Sequence, residues 1–569
     1  MKKNVILIFI LSAVIVLLLA GCQTEQSGAE QSSNEGNKGD VQGIKDEVIK
    51  ASDPSKSPQN ATNRKDTVVV ALQEPGGIFT PYFYSNGYDG NVTSAIFPPL
   101  VDIDKEGKPT PGLAENWDIS DDELTYTYHL RKGLKFDNGT PLTADDVAFT
   151  LTLLHDPAYD GGTDILEAKV KGGKEYKEGS SKEIGGIKVI DPQTIEITTE
   201  EVNARALRLL GGQVLSKEYY GKDYKYGNLD YIKDLYSKPV GAGPYKFDKY
   251  IPGQEVRYKA NEYYYGGKPE VENFIYKTTE GDGLQFFETG EIDYSGFPAN
   301  NDNFETLKSL GFANINLYTS SAYSYLTFNH EKPFFKDKKV RQAFIYGLNR
   351  QSILDTTYQG YAQVANEPVS PTSWAYTDDI NPYEYDPEKA KELLDEAGWK
   401  EGSDGIREKD GTRLTIRYFT SKTPLSDVLI PIAKENYKEI GIELEAEQMD
   451  FNALLSRVEK GDHDLASFST PMLTDPYNGV VDFHSEKPDA VTGYKNGKVN
   501  QLIDESISTN DIKKRTETYH ELYKELSDDP PYIFLGYTKI LSAHNARIEG
   551  FEPNGYRGIT PNLPKLIIK

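Results

Sequence analysis

Cys22 is the only cysteine in 569 residues. No intrachain disulfide can form, so buried apolar surface alone must hold a fold of this length. The length allows large cores and implies two or more domains. Formal charge at pH 7 is −25. Phosphate backbones need a basic surface, so this balance argues against a nucleic-acid partner. It also argues against a basic patch as the means of holding an anionic membrane. Beyond the N-terminal segment, no apolar run is long enough to span a bilayer.

That N-terminal segment has Lys2 and Lys3, then an apolar run from Val5 to Leu19, then Ala20, Gly21 and Cys22. A charged start, an apolar middle and small residues at the end mark a secretory signal. Leu19-Ala20-Gly21-Cys22 resembles the bacterial lipobox, which implies a thioether-linked diacylglycerol on Cys22 as the mature N-terminus. The alternatives are a plain signal or a spanning anchor with an incidental cysteine, but about 15 apolar residues are short for a span. Residues 23–66 are mostly Gln, Ser, Glu, Gly, Asn, Lys and Asp, a composition expected to stay disordered. As a coil the segment reaches roughly 40 Å and reads as a tether.

Folding is expected to begin at Thr67–Leu72, a continuous apolar run suited to a strand buried on both faces. Leu124–Leu130 alternates with period two, and Asn138-Gly139 signals a turn. Thr143 is placed to cap a helix with Asp146 at its positive end. Ile187–Ile190 and Thr194–Thr198 read as a hairpin about Asp191-Pro192. Asp337 should open a helix through Val340, Phe344 and Leu348. Asp386-Pro387 should open another that Gly398 ends. Strand Leu414–Phe419, helix Leu429–Ile440 and strand Ile442–Glu447 follow. The alternation predicts α/β domains.

Catalytic signatures fail. There is no His-Glu-x-x-His and no Gly-x-Ser-x-Gly. Gly493–Val499 has the wrong glycine spacing for a phosphate loop and lacks the metal-holding hydroxyl, so it reads as a surface turn. Gly241-Ala-Gly243 lacks the third glycine of a dinucleotide site. The seven histidines form no close ligand pair. The informative excess is aromatic, with 39 Tyr and 23 Phe against 3 Trp. Tyrosine offers a rigid plate with a polar tip, suited to a cleft for a mixed polar and apolar ligand. Two loops concentrate such residues, Phe79–Tyr88 and Phe468–Asn478.

Six segments in order, from about Val68 to Phe551, resemble the oligopeptide- and dipeptide-binding group (family 5) of solute-binding proteins of ABC importers. They are Leu113–Trp117 leading through Arg131 to Val147; Pro239–Tyr245; Leu326–Asn329 with Val340-Arg341 and Asn349-Arg350; Tyr385–Trp399; Asp475-Pro476; and Pro530–Leu535 with Gly550-Phe551. The resemblance implies a two-lobed, type II periplasmic-binding-protein-like α/β fold. Lobe I would comprise 67–99, 187–328 and 533–569. An added subdomain would cover 100–186, and lobe II 329–532. Hinge crossings would fall near Phe328, Asn329 and Phe534.

It implies a receptor rather than an enzyme, with no cofactor. It would be a monomer held to the outer membrane face through Cys22, closing on an oligopeptide and delivering it to permease subunits served by cytoplasmic ATPases. Ligand contacts would come from Tyr84, Ser85, Asn86 and Gly87, and from Ser469, Thr470, Met472, Asp475, Tyr477 and Asn478. Met472 occupies the place where many relatives carry the aspartate for a peptide N-terminus. The alternatives are another solute, such as a sugar oligomer or chelated metal, a surface hydrolase using Asp475 or His484, and a signalling or adhesion receptor.

Overall fold

A computed structural model describes residues 45–569 except 280, 282, 472, 488 and 489. The signal segment, Cys22, the tether as far as residue 44, and Met472 lie outside the described residues. None of the described helices is long and apolar enough to cross a membrane.

Five strands define the frame: β1 (Glu47–Ile49), β2 (Thr67–Leu72), β3 (Ala313–Thr319), β4 (Ser324–Phe328) and β5 (Tyr532–Asn545). β5 runs through two sheets. Its second half pairs with β3 on one side and Tyr294–Phe297 on the other; β2 and the strands Asn273–Thr278, Glu255–Ala260 and Tyr245–Ile251 complete the lobe I sheet. Its first half pairs with β4 and with Ala362–Val364. Beyond β4 lie Leu465–Ser469, Thr415–Ser421 and Glu443–Met449, which complete lobe II.

Each sheet is covered on both faces. In β2, Val68, Val70 and Leu72 enter one core while Val69 and Ala71 pack into another. In the first half of β5, Ile533 and Leu535 join one lobe II core, and Tyr532 and Phe534 join the other. Period-two alternation between two dry faces explains why these strands are apolar throughout.

Two expected boundaries move. The hairpin Ile187–Thr198 pairs with Thr125–Leu130, which pairs with Ala114–Ile119, giving one four-stranded sheet. A boundary at 186 would cut that sheet, so the added subdomain runs at least through Thr198. The second is the expected 66/67 boundary, because residues 45–66 are not free of the fold. From residue 45 the chain is laid along lobe I: β1 pairs with β3, Ala51 N–H donates to Asn314 Oδ1 at 2.9 Å, and Ala61 is fully buried. An open sheet edge recruits backbone through unpaired N–H and C=O groups, whatever the side-chain polarity.

Candidate ligand-binding site between the lobes

The chain passes between the sheets at two places, 320–323 linking β3 to β4 and 536–539 within β5. Ser320 N–H donates to Thr538 O at 3.0 Å, tying the crossings together. The residues expected as hinges lie farther into lobe II. Phe328 is wholly buried in a lobe II core, and Asn329 Nδ2 donates to Gly461 O and His463 O. Phe534 packs edge-on to Tyr323 at 5.6 Å. Packing of this kind fixes geometry, and the three residues lie outside the crossings themselves.

Between the lobes lies a cavity of about 350 Å³, within the range usual for small-ligand sites. The added subdomain supplies Trp117 and Ile119, and lobe I the short helix Ala206–Leu210 with the preceding Arg205; lobe II supplies Trp374, Asp475, Asn478, Asn510 and Arg515. The helix Ile512–Asp528, capped by Asp511, carries Arg515 one turn in. Arg515 Nε donates to Ser506 O at 2.8 Å, and the guanidinium lies 5.1 Å from the Trp374 ring centre. Its Nη2 is 3.3 Å from Asp475 Oδ1.

Asp475 also caps the turn Pro476–Gly479, accepting from Tyr477 N–H at 3.0 Å. Burial pushes its carboxyl up, but Arg515, the Tyr477 N–H, Arg208 and Arg205 together outweigh this and hold it below the ordinary value. Across the cleft, Arg205 pairs with Glu167 at 2.5 Å and lies over the Tyr477 ring at 4.5 Å. Arg208 Nη1 donates to Thr474 O at 3.1 Å. Ala204 N–H donates to Ile507 O at 2.8 Å, and Thr509 Oγ1 to Glu123 Oε1 at 2.9 Å. The lobes therefore touch directly around the cavity.

Of the residues expected to meet ligand, Asp475 and Asn478 line this cavity, and Tyr477 lies beneath Arg205. Ser469 continues the ladder opposite Ser324. Thr470 exchanges hydrogen bonds with Tyr323 at 2.9 and 3.1 Å, carrying the loop past the crossing. Tyr84, Ser85, Asn86 and Gly87 are not in the cavity lining. Asn86 caps the helix Gly87–Ser94, and its Nδ2 donates to Asp89 Oδ2. Asp89 in turn accepts from Gly77 N–H. That loop is therefore knit to its own backbone.

Arg205, Arg208, Arg515, Trp117, Trp374 and Asn510 also line the cavity and were not singled out from the sequence. Two arginines three positions apart, one at the N-cap and one within a short helix of a strongly acidic chain, were the available sign.

His484, a candidate base, is buried and paired with Asp504 at 3.2 Å. The Gly493–Val499 turn borders a separate recess of about 540 Å³ wholly within lobe II. Asn496 there caps the helix Gly497–Glu505, as expected of a structural turn.

The family model for bacterial extracellular solute-binding proteins, family 5, matches residues 108–489, more than half of the chain. The protein belongs to that family. This family 5 protein is 28% identical over 499 residues to the oligopeptide-binding protein AppA of Bacillus subtilis, covering 86% of this chain and 89% of AppA. It is 30% identical over 517 residues to di/tripeptide-binding protein 1 of Pseudomonas aeruginosa, covering 85% and 91%. The structure of B. subtilis AppA with a nonapeptide superposes with a TM-score of 0.69 at 26% identity, covering 88% of this chain and 99% of that one. NikZ from Campylobacter jejuni with Ni(L-His) gives 0.71 at 26%, covering 89% and 100%. The two-lobed type II α/β fold is thus that of the family, whose members are extracytoplasmic substrate-binding receptors of ABC importers and not enzymes.

Proposed function

We propose that this family 5 receptor captures short peptides between its lobes and hands them to the permease subunits of an ABC importer. The cavity carries the reading. It is enclosed by both lobes, has two indole walls for apolar side chains, and places charged and amide groups among them for a polar backbone. A ligand that touches both lobes favours the closed form by those added contacts. The segments 320–323 and 536–539 are the hinge. The lipobox-like Cys22 is the anchor, the chain as far as residue 44 is the tether, and the receptor acts as a monomer. The peptide-bound AppA structure supports the ligand class.

The second reading is a chelated metal, favoured by the likeness to NikZ with Ni(L-His). Among the described residues no three His, Cys, Asp or Glu side chains gather as metal ligands, so a metal would have to arrive with its own chelator. Native mass spectrometry after incubation with a tripeptide pool and with Ni(L-His) separates the two. Retained tripeptide masses support peptide capture; retention of the nickel chelate alone would end it.

A further inference from the structure

We propose that the cavity reads a ligand carboxylate, with Arg208 of lobe I as the group that meets it. This rests on the peptide-receptor reading and narrows it: the peptide is held by its acid rather than by its amine.

The charge inventory carries the inference. Among the residues lining the cavity, the charged ones are Arg205, Arg208, Arg515 and Asp475. Arg205 is matched by Glu167 and Arg515 by Asp475. Among the described residues Arg208 has no carboxylate at ion-pair distance; its guanidinium donates to Thr474 O. Three guanidinium groups thus share two carboxylates, in a protein whose overall charge is strongly negative. A half-buried cation with no carboxylate in direct contact is costly, and an anion entering beside it lowers that cost.

Donor geometry points the same way. A guanidinium has five N–H donors in a planar fork, of which the Thr474 carbonyl takes one. The rest suit a carboxylate, which can accept two in parallel. Burial loosens the proton of Arg208, while Asp475 nearby opposes this; a ligand anion adds to the second effect.

The cavity is correspondingly poor for an ammonium. Its single lining carboxylate already accepts from Arg515 and from Tyr477 N–H, and three arginines would repel a second cation beside it. Arg208 also bridges the lobes through Thr474. A ligand acid on its free donors therefore sits where closure is decided.

The test uses purified full-length protein and calorimetric titration with trialanine, its C-terminal amide, its N-acetyl form, and Ala-Glu-Ala amide. The carboxylate can come from the peptide terminus or from an acidic side chain. Terminal recognition predicts that amidation weakens trialanine at least tenfold while N-acetylation changes it less than threefold. Side-chain recognition predicts that Ala-Glu-Ala amide binds at least tenfold more tightly than trialanine amide. Arg208→Met should erase whichever difference is found, and Arg208→Lys should restore part of it.

If trialanine amide binds as tightly as the acid and the Glu peptide gains nothing, or if N-acetylation abolishes binding, carboxylate recognition is wrong while peptide capture stands. These ligand comparisons need no variant, so a misfolded mutant cannot obscure them. If the wild type retains no peptide in any form, both the proposal and the peptide reading fall.

Discussion

Lys539 and Asp46 stand 493 positions apart and meet at 2.6 Å. Lys539 lies in the stretch of β5 that passes between the lobes, and Thr319 at the end of β3 also donates to Asp46, at 2.9 Å. One carboxylate just ahead of β1 therefore clasps both strands beside the crossings. The lysine is buried while the aspartate is half exposed, so water screens the pair and its worth is modest. Lys539→Met should lower stability by about 0.5–1 kcal/mol and speed amide exchange at Val48 and Ile49. Unchanged exchange there would show that β1 is held by its backbone ladder alone.

A second clasp is buried. Arg547 Nε and Nη2 each donate to the Asp293 carboxylate at 2.8 Å, Val69 N–H adds a bond at 2.9 Å, and Arg64 Nη2 stands 2.9 Å away. Removing the carboxylate strands two guanidinium groups inside lobe I. Asp293→Ala should cost about 3–5 kcal/mol in urea unfolding, far more than Lys539→Met.

Glu367 sets a pH dependence. Burial pushes its carboxyl from 4.5 to about 9, and Oε2 has no hydrogen-bond partner among the described residues. Between those values the native state holds a proton that the unfolded chain has released. Stability from this group therefore falls as pH rises, by about 1.4 kcal/mol per unit at most. Glu367→Gln should gain on the wild type progressively from pH 5 to pH 8 in urea titrations. A constant difference across that range would mean that Glu367 is not protonated in the fold.

Gly241 and Gly243 have a steric purpose. A Cβ at Gly241 would lie 2.3 Å from Ile96 O, and one at Gly243 would lie 2.5 Å from Ala95 O. Neither backbone neighbour can move without disturbing the lobe I core. Gly243→Ala should cost about 1–3 kcal/mol, seen as a lower midpoint in thermal unfolding.

Cys22→Ala tests the anchor separately from the receptor. The variant should leave the membrane fraction, yet bind peptide with the wild-type dissociation constant. Weaker binding by the released protein would tie the N-terminus to ligand capture.

Much of the scaffold was legible because its signals are local. Thr143 caps its helix as expected and forms a capping box with Asp146, Asp386-Pro387 opens its helix, and Gly398 stops that helix with φ of +87°. The run Thr67–Leu72 announced a strand covered on both faces, and β2 is one. The site was legible only in part. Asp475 stood out through its Asp-Pro context, but Arg205 and Arg208 acquire meaning from Glu167, Thr474 and Tyr477, the last two more than 260 positions away. No window of sequence joins them. Residues 45–66 were misjudged for the same reason: their polarity is real, but Asp46, Ala61 and Arg64 have partners in distant parts of lobe I.

β5 has a consequence for how the molecule is made. The inner strand of lobe I is supplied by residues near 541–545, after almost the whole chain has been synthesised. Until then β3 and the strand Tyr294–Phe297 lack the neighbour that separates them, and β4 lacks its partner on the other side. The N-terminal half must wait as an unfinished sheet with open edges, which invites aggregation. A chain cut short before residue 532 would leave two incomplete sheets rather than one good lobe, and surveillance proteases would meet an unfolded substrate.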